Sequence, residues 1–185
     1  MGKLIIECGN IVDDRFLNKV DAVVNPTNPM MKYGGGVCGA IFDKAGIKEL
    51  EDYTEKTFGI SSDMLSNNLM DVAEVRVTPG FKMPCDIMFA QGPRVWQHND
   101  YCEAEKLLLL TYKNVLKVAE QKGYRSILLP SLGTGIYGFE HEKVAKPVVE
   151  LLKRELQNLD LNVVLVLREA NVAFLYQLSD KNAQI

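Results

Sequence analysis

Asn25-Pro-Thr-Asn28 and, six residues on, Gly34-Gly35-Gly36-Val37-Cys38 are the groups in this sequence with the most chemical use. Carboxamides offer neutral donors and acceptors suited to sugar hydroxyls. Consecutive glycines tolerate positive φ and let the main chain come close to a ligand, exposing N–H groups to an anion. A helix opening directly after them adds its positive end. The stretch is therefore suited to a phosphorylated sugar rather than a purely apolar ligand. A second loop, Pro130-Ser131-Leu132-Gly133-Thr134-Gly135-Ile136-Tyr137-Gly138-Phe139, repeats the device. Taken alone, each loop can be no more than a tight turn. Together at the carboxyl ends of strands they would grip a diphosphate from two sides. Neither has the Lys-Ser or Lys-Thr of a phosphate-transferring loop, nor G-x-G-x-x-G after a first strand, so phosphoryl transfer is not expected.

Such loops need strands to end in them and helices to start from them. Residues 4–8 and 21–25 read as short buried strands, and 36–45 and 47–57 as helices broken at Gly46. Residues 71–78 alternate apolar and polar, as a half-buried strand does, and 86–90 follow as another strand after Pro84. Residues 103–122 form the clearest helix, with Leu107, Leu108, Leu110, Val115, Val118 and Ala119 toward the core and Gly123 at its C-terminal cap. A strand at 125–130, an amphipathic helix at 140–156, an apolar interior strand at 162–167 and a helix at 171–178 complete the chain. Alternating strands and helices predict an α/β fold, a three-layer α/β/α sandwich. The two strands within 71–90, with no helix between them, make the central sheet mixed. Repeats and linkers are absent, so residues 1–185 are expected to form one domain.

Composition narrows the function. With 47% apolar and 24% charged residues, the 185-residue chain has the make-up of an ordinary globular protein. A net charge of −3 argues against sequence-independent binding to a nucleic-acid backbone, while leaving room for one anionic nucleotide in a local backbone nest. No apolar run is long enough to span a bilayer. Cys8, Cys38, Cys85 and Cys102 form no C-x-x-C, and no signal peptide is evident, which points to free thiols in a reducing cytoplasm. His98 and His141 are the only histidines, so no metal site and no cofactor are expected.

In five places the sequence resembles the macrodomain family, which binds ADP-ribose. Gly9-Asn10-Ile11 is similar to the family's Gly-Asp-Ile, and Asp21-Ala-Val-Val-Asn25-Pro-Thr-Asn28 to its Val-Asn-Ala-Ala-Asn segment. Gly34-Gly-Gly-Val-Cys-Gly-Ala-Ile resembles its first loop, Thr78-Pro-Gly-Phe with Gln91-Gly-Pro93 its middle strands, and Leu132-Gly-Thr-Gly-Ile-Tyr-Gly138 its diphosphate loop. The resemblance implies ADP-ribose or ADP-ribosylated proteins as partners. It places Asn10 and Ile11 at the adenine, with Leu167 and Arg168 either there too or simply at a strand end. Asn25, Asn28, Gly34, Gly35, Gly36 and Val37 would lie along the distal ribose and phosphates. Ser131, Gly133, Thr134, Gly135, Ile136 and Tyr137 would wrap the diphosphate, Tyr137 packing near the distal ribose.

Three departures bear on mechanism. Asn10 stands for an aspartate, so the bond to the adenine amino group loses its charge. Cys38 stands where deacylating relatives carry an aspartate, and Phe42 replaces a histidine one helical turn later. The obvious general base is thus missing, although some viral macrodomains share this pattern and still remove ADP-ribose from acidic side chains. Asn28 and Tyr137 are the catalytic candidates. Cys38 is a third, near a helix start, but it has no evident histidine partner and packing alone accounts for many small buried cysteines. Three functions remain open at this point. One is hydrolysis of ADP-ribosyl esters, on Asp and Glu side chains or in O-acetyl-ADP-ribose; another is binding of ADP-ribose without turnover; the third, with weaker activity expected, is removal of phosphate from ADP-ribose 1″-phosphate.

Overall fold

Hydrogen bonding along six short strands organises the molecule. The computed structural model describes residues 1–59 and 70–182. In chain order the elements are β1 (Leu4–Cys8), α1 (Asp14–Leu17), β2 (Ala22–Pro26), α2 (Gly36–Ala45), α3 (Ile47–Phe58), β3 (Val75–Thr78), β4 (Asp86–Ala90), a 3₁₀ turn (Val95–Gln97), α4 (Tyr101–Gln121), β5 (Ser126–Leu129), α5 (His141–Leu156), β6 (Asn162–Leu167) and α6 (Ala170–Asn182). The strand order is β1-β6-β5-β2-β4-β3. All neighbours are parallel except β3, which pairs antiparallel with β4 at one edge. The sheet is therefore mixed, and its parallel strands all end at one edge.

Alternation along the strands divides the core in two. On one face Ala22, Val24, Met88, Ile127, Leu129, Val163 and Leu165 pack against Leu108, Val115 and Ala119 of α4, Val148 and Leu152 of α5, and Tyr176 of α6. On the other, Val23, Ile87, Phe89 and Leu128 pack against Phe16 and Leu17 of α1, Ile41 and Phe42 of α2, and Leu50 of α3. Phe42, fully buried, meets Phe89 edge-on with centroids 6.0 Å apart, so this side chain belongs to the core. The result is the three-layer α/β/α sandwich. Among the described residues no helix is long and apolar enough to cross a membrane.

Some expectations shift. The strand expected over 71–78 starts only at Val75, because Ala73 takes a φ of 68° that breaks the extended run. The clearest helix starts earlier than 103, at Tyr101, since the Asp100 carboxylate accepts from the Cys102 N–H at 3.0 Å. Its buried line runs through Ala104, Leu108, Thr111, Tyr112, Val115, Leu116 and Ala119, while Leu110 points outward. The last helix extends at both ends of 171–178, covering Ala170–Asn182. Helix α1 and the 3₁₀ turn are too short to leave a periodic signal.

Helix α4 also holds the second loop from below. The Tyr112 hydroxyl, fully buried, accepts the Leu132 N–H at 2.7 Å. Removing that oxygen leaves a buried donor unpaired, a cost of about 1–3 kcal/mol. Tyr112→Phe should therefore lower unfolding free energy by about that amount in urea titrations, with the denaturant slope unchanged.

Candidate functional site

The carboxyl ends of β1, β6, β5 and β2 follow one another along the crest in that order. Asn10 and Ile11 follow β1, Leu167 and Arg168 end or follow β6, residues 131–139 follow β5, and residues 27–35 follow β2. Three interstrand steps separate the first of these from the last, a span of about 14 Å at 4.8 Å per step. The expected ligand-contact positions thus form a line rather than a cluster.

At the β2 end, Gly35 caps α2 without any side-chain bond, and no acidic residue occupies the first turn. Among the described residues the N–H groups of Gly35, Gly36, Val37 and Cys38 donate to no protein acceptor. Gly36 has a φ of 60°, and a Cβ there or at Gly35 would meet nothing within 4 Å. Open N–H groups at an uncapped helix start suit an anion.

At the β5 end, among the described residues, the N–H groups of Gly133, Thr134, Gly135, Ile136 and Tyr137 likewise have no protein acceptor. The loop is closed beneath them by Phe139 N–H to Gly133 O at 3.1 Å and Gly138 N–H to Gly135 O at 3.2 Å. Gly133 is required: its φ is 75°, and a Cβ would lie 2.8 Å from the Phe139 ring. The Ser131 hydroxyl is bonded to Tyr176 at 2.7 Å, so it supports the loop from below. Ile136 is 78% exposed at the loop tip.

Tyr137 joins these parts. Its hydroxyl donates to Thr27 O at 3.2 Å, bringing the two glycine loops together, and its carbonyl accepts the Val95 N–H at 3.0 Å. Trp96 meets its ring edge-on at 6.4 Å, and the Arg94 guanidinium lies 5.1 Å from the ring centroid. Trp96 thus packs on the Tyr137 ring of the second glycine loop. Arg94 was not singled out by its sequence position. The only signal was a cation and an aromatic following Gly92-Pro93.

The side chains expected nearby differ in availability. Asn10 is exposed, and its Oδ1 accepts the Val12 N–H at 3.4 Å; Ile11 is buried beside it. Asn25 is fully buried, and among the described residues neither amide atom has a hydrogen-bond partner of ordinary geometry. Asn28 is half-buried, its amide bonded to backbone of its own loop. Cys38 is 5% exposed, with its Sγ donating to Lys32 O at 3.7 Å. Burial pushes its thiol up to about 11, against the smaller opposing effects of the Asn25 carboxamide and the Gly34 N–H. At neutral pH Cys38 is a protonated, buried thiol, which argues against the nucleophilic role raised for it. Below the second loop, His141 Nδ1 lies 3.3 Å from the Tyr176 hydroxyl, and burial pulls its pKa down. Among the described residues no group of three or more His, Cys, Asp and Glu could hold a metal.

The sequence profile of the Macro domain family matches residues 24–148. A macro domain-containing protein of Chlorobaculum tepidum is 36% identical over 137 residues, 74% of this chain and 73% of its own. One from Methanosarcina mazei is 36% identical over 140 residues, 75% of this chain and 68% of its own. The structure of an Oceanobacillus iheyensis macrodomain with ADP superposes with a TM-score of 0.77 at 28% identity, covering 95% of this chain and 88% of that one.

Iodoacetamide at pH 7.5 should label the exposed Cys8 and Cys102 at least about tenfold faster than Cys38, as peptide mass spectrometry can measure. A lowered histidine pKa means that the fold prefers neutral His141, so its contribution is present above the unfolded value of about 6.5 and lost as pH falls through the folded one. The drop in Tm between pH 7.5 and pH 5.5 should therefore be larger in the wild type than in His141→Gln.

Proposed function

The chain belongs to the macrodomain family, and from that membership and the order of its crest loops we propose that it binds ADP-ribose and hydrolyses ADP-ribosyl esters. The substrates are mono-ADP-ribose on Asp or Glu side chains, or O-acetyl-ADP-ribose. One observation carries the reading. The crest presents, in sequence β1-β6-β5-β2, Asn10 with Ile11, a loop of open N–H groups at 133–137, and a carboxamide with a helix start free of side-chain caps at Asn28 and Gly35–Val37. That is the order of base, diphosphate and distal ribose in ADP-ribose. The ADP in the Oceanobacillus iheyensis macrodomain supports the same ligand class. Four free cysteines accord with a reducing compartment, and we place the protein in the cytoplasm.

Hydrolysis adds water across the ester, releasing the carboxylic acid and an ADP-ribose hydroxyl. Since Cys38 is protonated, it supplies no base. The substrate's own phosphate would position the water while Asn28 orients the ribose, and rate would come from positioning and from stabilising the leaving carboxylate. The same thiol favours a second reading, in which the site holds ADP-ribose without turnover.

The decisive experiment uses a protein labelled with ADP-ribose on aspartate and glutamate, incubated with the wild type and with Asn28→Ala. Free ADP-ribose from the wild type, sharply reduced in the variant, is the expected result; label that stays on its carrier and co-purifies with the chain supports the second reading. Binding has its own control. Gly35 has an ordinary φ of −84° and open space around its Cβ position. Gly35→Val should leave the Tm unchanged while cutting calorimetric ADP-ribose affinity by at least about tenfold. Unchanged affinity would move the ligand away from the α2 start.

A further inference from the structure

Asn28 owes its orientation to three backbone contacts, two of them with Lys32. Its Oδ1 accepts the Met30 N–H at 3.1 Å and the Lys32 N–H at 3.2 Å, while its Nδ2 donates to the Lys32 carbonyl at 2.7 Å. Turning the amide over would set N–H against N–H and oxygen against oxygen, so the hydrogen-bond pattern decides which atom is which. Both Oδ1 lone pairs are then used, and one Nδ2 hydrogen is left over. Toward a ligand Asn28 is a donor, suited to a hydroxyl oxygen. The nitrogen faces Gly34, where a Cβ would lie 3.5 Å from it, and Cys38 Sγ points at the same Lys32 carbonyl.

Lys32 is itself held from outside the loop. Its ammonium pairs with the Glu55 carboxylate on α3, the two side chains being 28% and 39% exposed. The next N–H, of Tyr33, reaches Glu51 Oε1 at 3.4 Å, one turn earlier on the same helix. Helix α3 packs Leu50 into the same core that Ile41 and Phe42 of α2 enter. The chain of contacts therefore runs from α3 through the Lys32 side chain to its peptide groups and then to the Asn28 amide.

We propose that Lys32 and Glu55 are a positioning pair that holds the Asn28 carboxamide with its nitrogen turned to the ligand. The proposal rests on the ADP-ribose reading only for what the ligand is; the lock itself is a property of the free protein. Without the ion pair the loop keeps only the longer Tyr33 N–H contact to Glu51 as its tie to α3, and the amide presents its donor in a less fixed direction. The effect should match a single partly exposed ion pair acting on one hydrogen bond.

The test has two arms. In the first, NMR follows hydrogen exchange at the Asn28 side-chain amide without ligand. Glu55→Gln and Lys32→Met should each speed exchange roughly fivefold with little change in Tm, while Lys32→Arg behaves as wild type. Unchanged exchange in Glu55→Gln overturns the proposal, whatever the protein binds. In the second, calorimetry compares ADP-ribose affinity in the wild type, Glu55→Gln, Asn28→Ala and the double variant. Glu55→Gln alone should weaken binding roughly fivefold and should add nothing in the Asn28→Ala background. An equal further loss in the double variant overturns the proposal, because Glu55 would then be acting elsewhere. If the wild type binds no ADP-ribose, the reading of the site fails, and the exchange arm still decides the lock.

Discussion

The common direction of β1, β6, β5, β2 and β4 is the constraint on which the rest of the molecule depends. Parallel strands need a crossover between neighbours, and each crossover must leave from the same edge. Every carboxyl end therefore opens into a loop on one crest, and the helices that return the chain cover the faces. The site is a by-product of that rule. Two of those loops are glycine-rich, and among the described residues their backbone N–H groups at 35–38 and 133–137 find no protein acceptor. Tyr137, bonded to Thr27 O and packed on Trp96, keeps them at one fixed spacing.

Much of this was legible in the residues because glycine and apolar periodicity are local signals. β1, α2, β4 and β6 begin and end where their composition changes, and the triple glycine marks the α2 start. Local signals fail where conformation is set by contacts far along the chain. Nothing around Ala73 announces a left-handed residue, so β3 looked longer than it is. Leu110 has the composition of a core residue but the wrong angle on α4, where Thr111 and Tyr112 take the buried positions. Helix α1 buries Phe16 and Leu17 in a single turn, too short for any period to show.

The site divides in the same way. Gly34, Gly35, Gly36 and the 133–137 loop could be picked out because their chemistry lies in the backbone. The states of the side chains could not. That the Ser131 hydroxyl is spent on Tyr176, that the Asn25 amide is sealed in, and that Lys32 meets Glu55 are consequences of packing between elements up to 45 residues apart in sequence. Cys38 illustrates the same limit. A cysteine near a helix start suggests an activated thiolate, yet burial outweighs the helix end and leaves a thiol. Phe42, which looked like a lost catalytic partner, is a core residue in edge contact with Phe89. Both departures become intelligible as packing on the α2 side of the sheet.

Trp96 is the only tryptophan in the chain, 59% exposed and in edge contact with the ring of Tyr137. All indole emission from this protein therefore originates at the rim of the crest, beside the loop that carries Tyr137. Any change in solvent access or in the contact with that ring would register in a single indole signal. The molecule carries an intrinsic optical reporter of this part of the crest, with no second indole to dilute it and no need for a label.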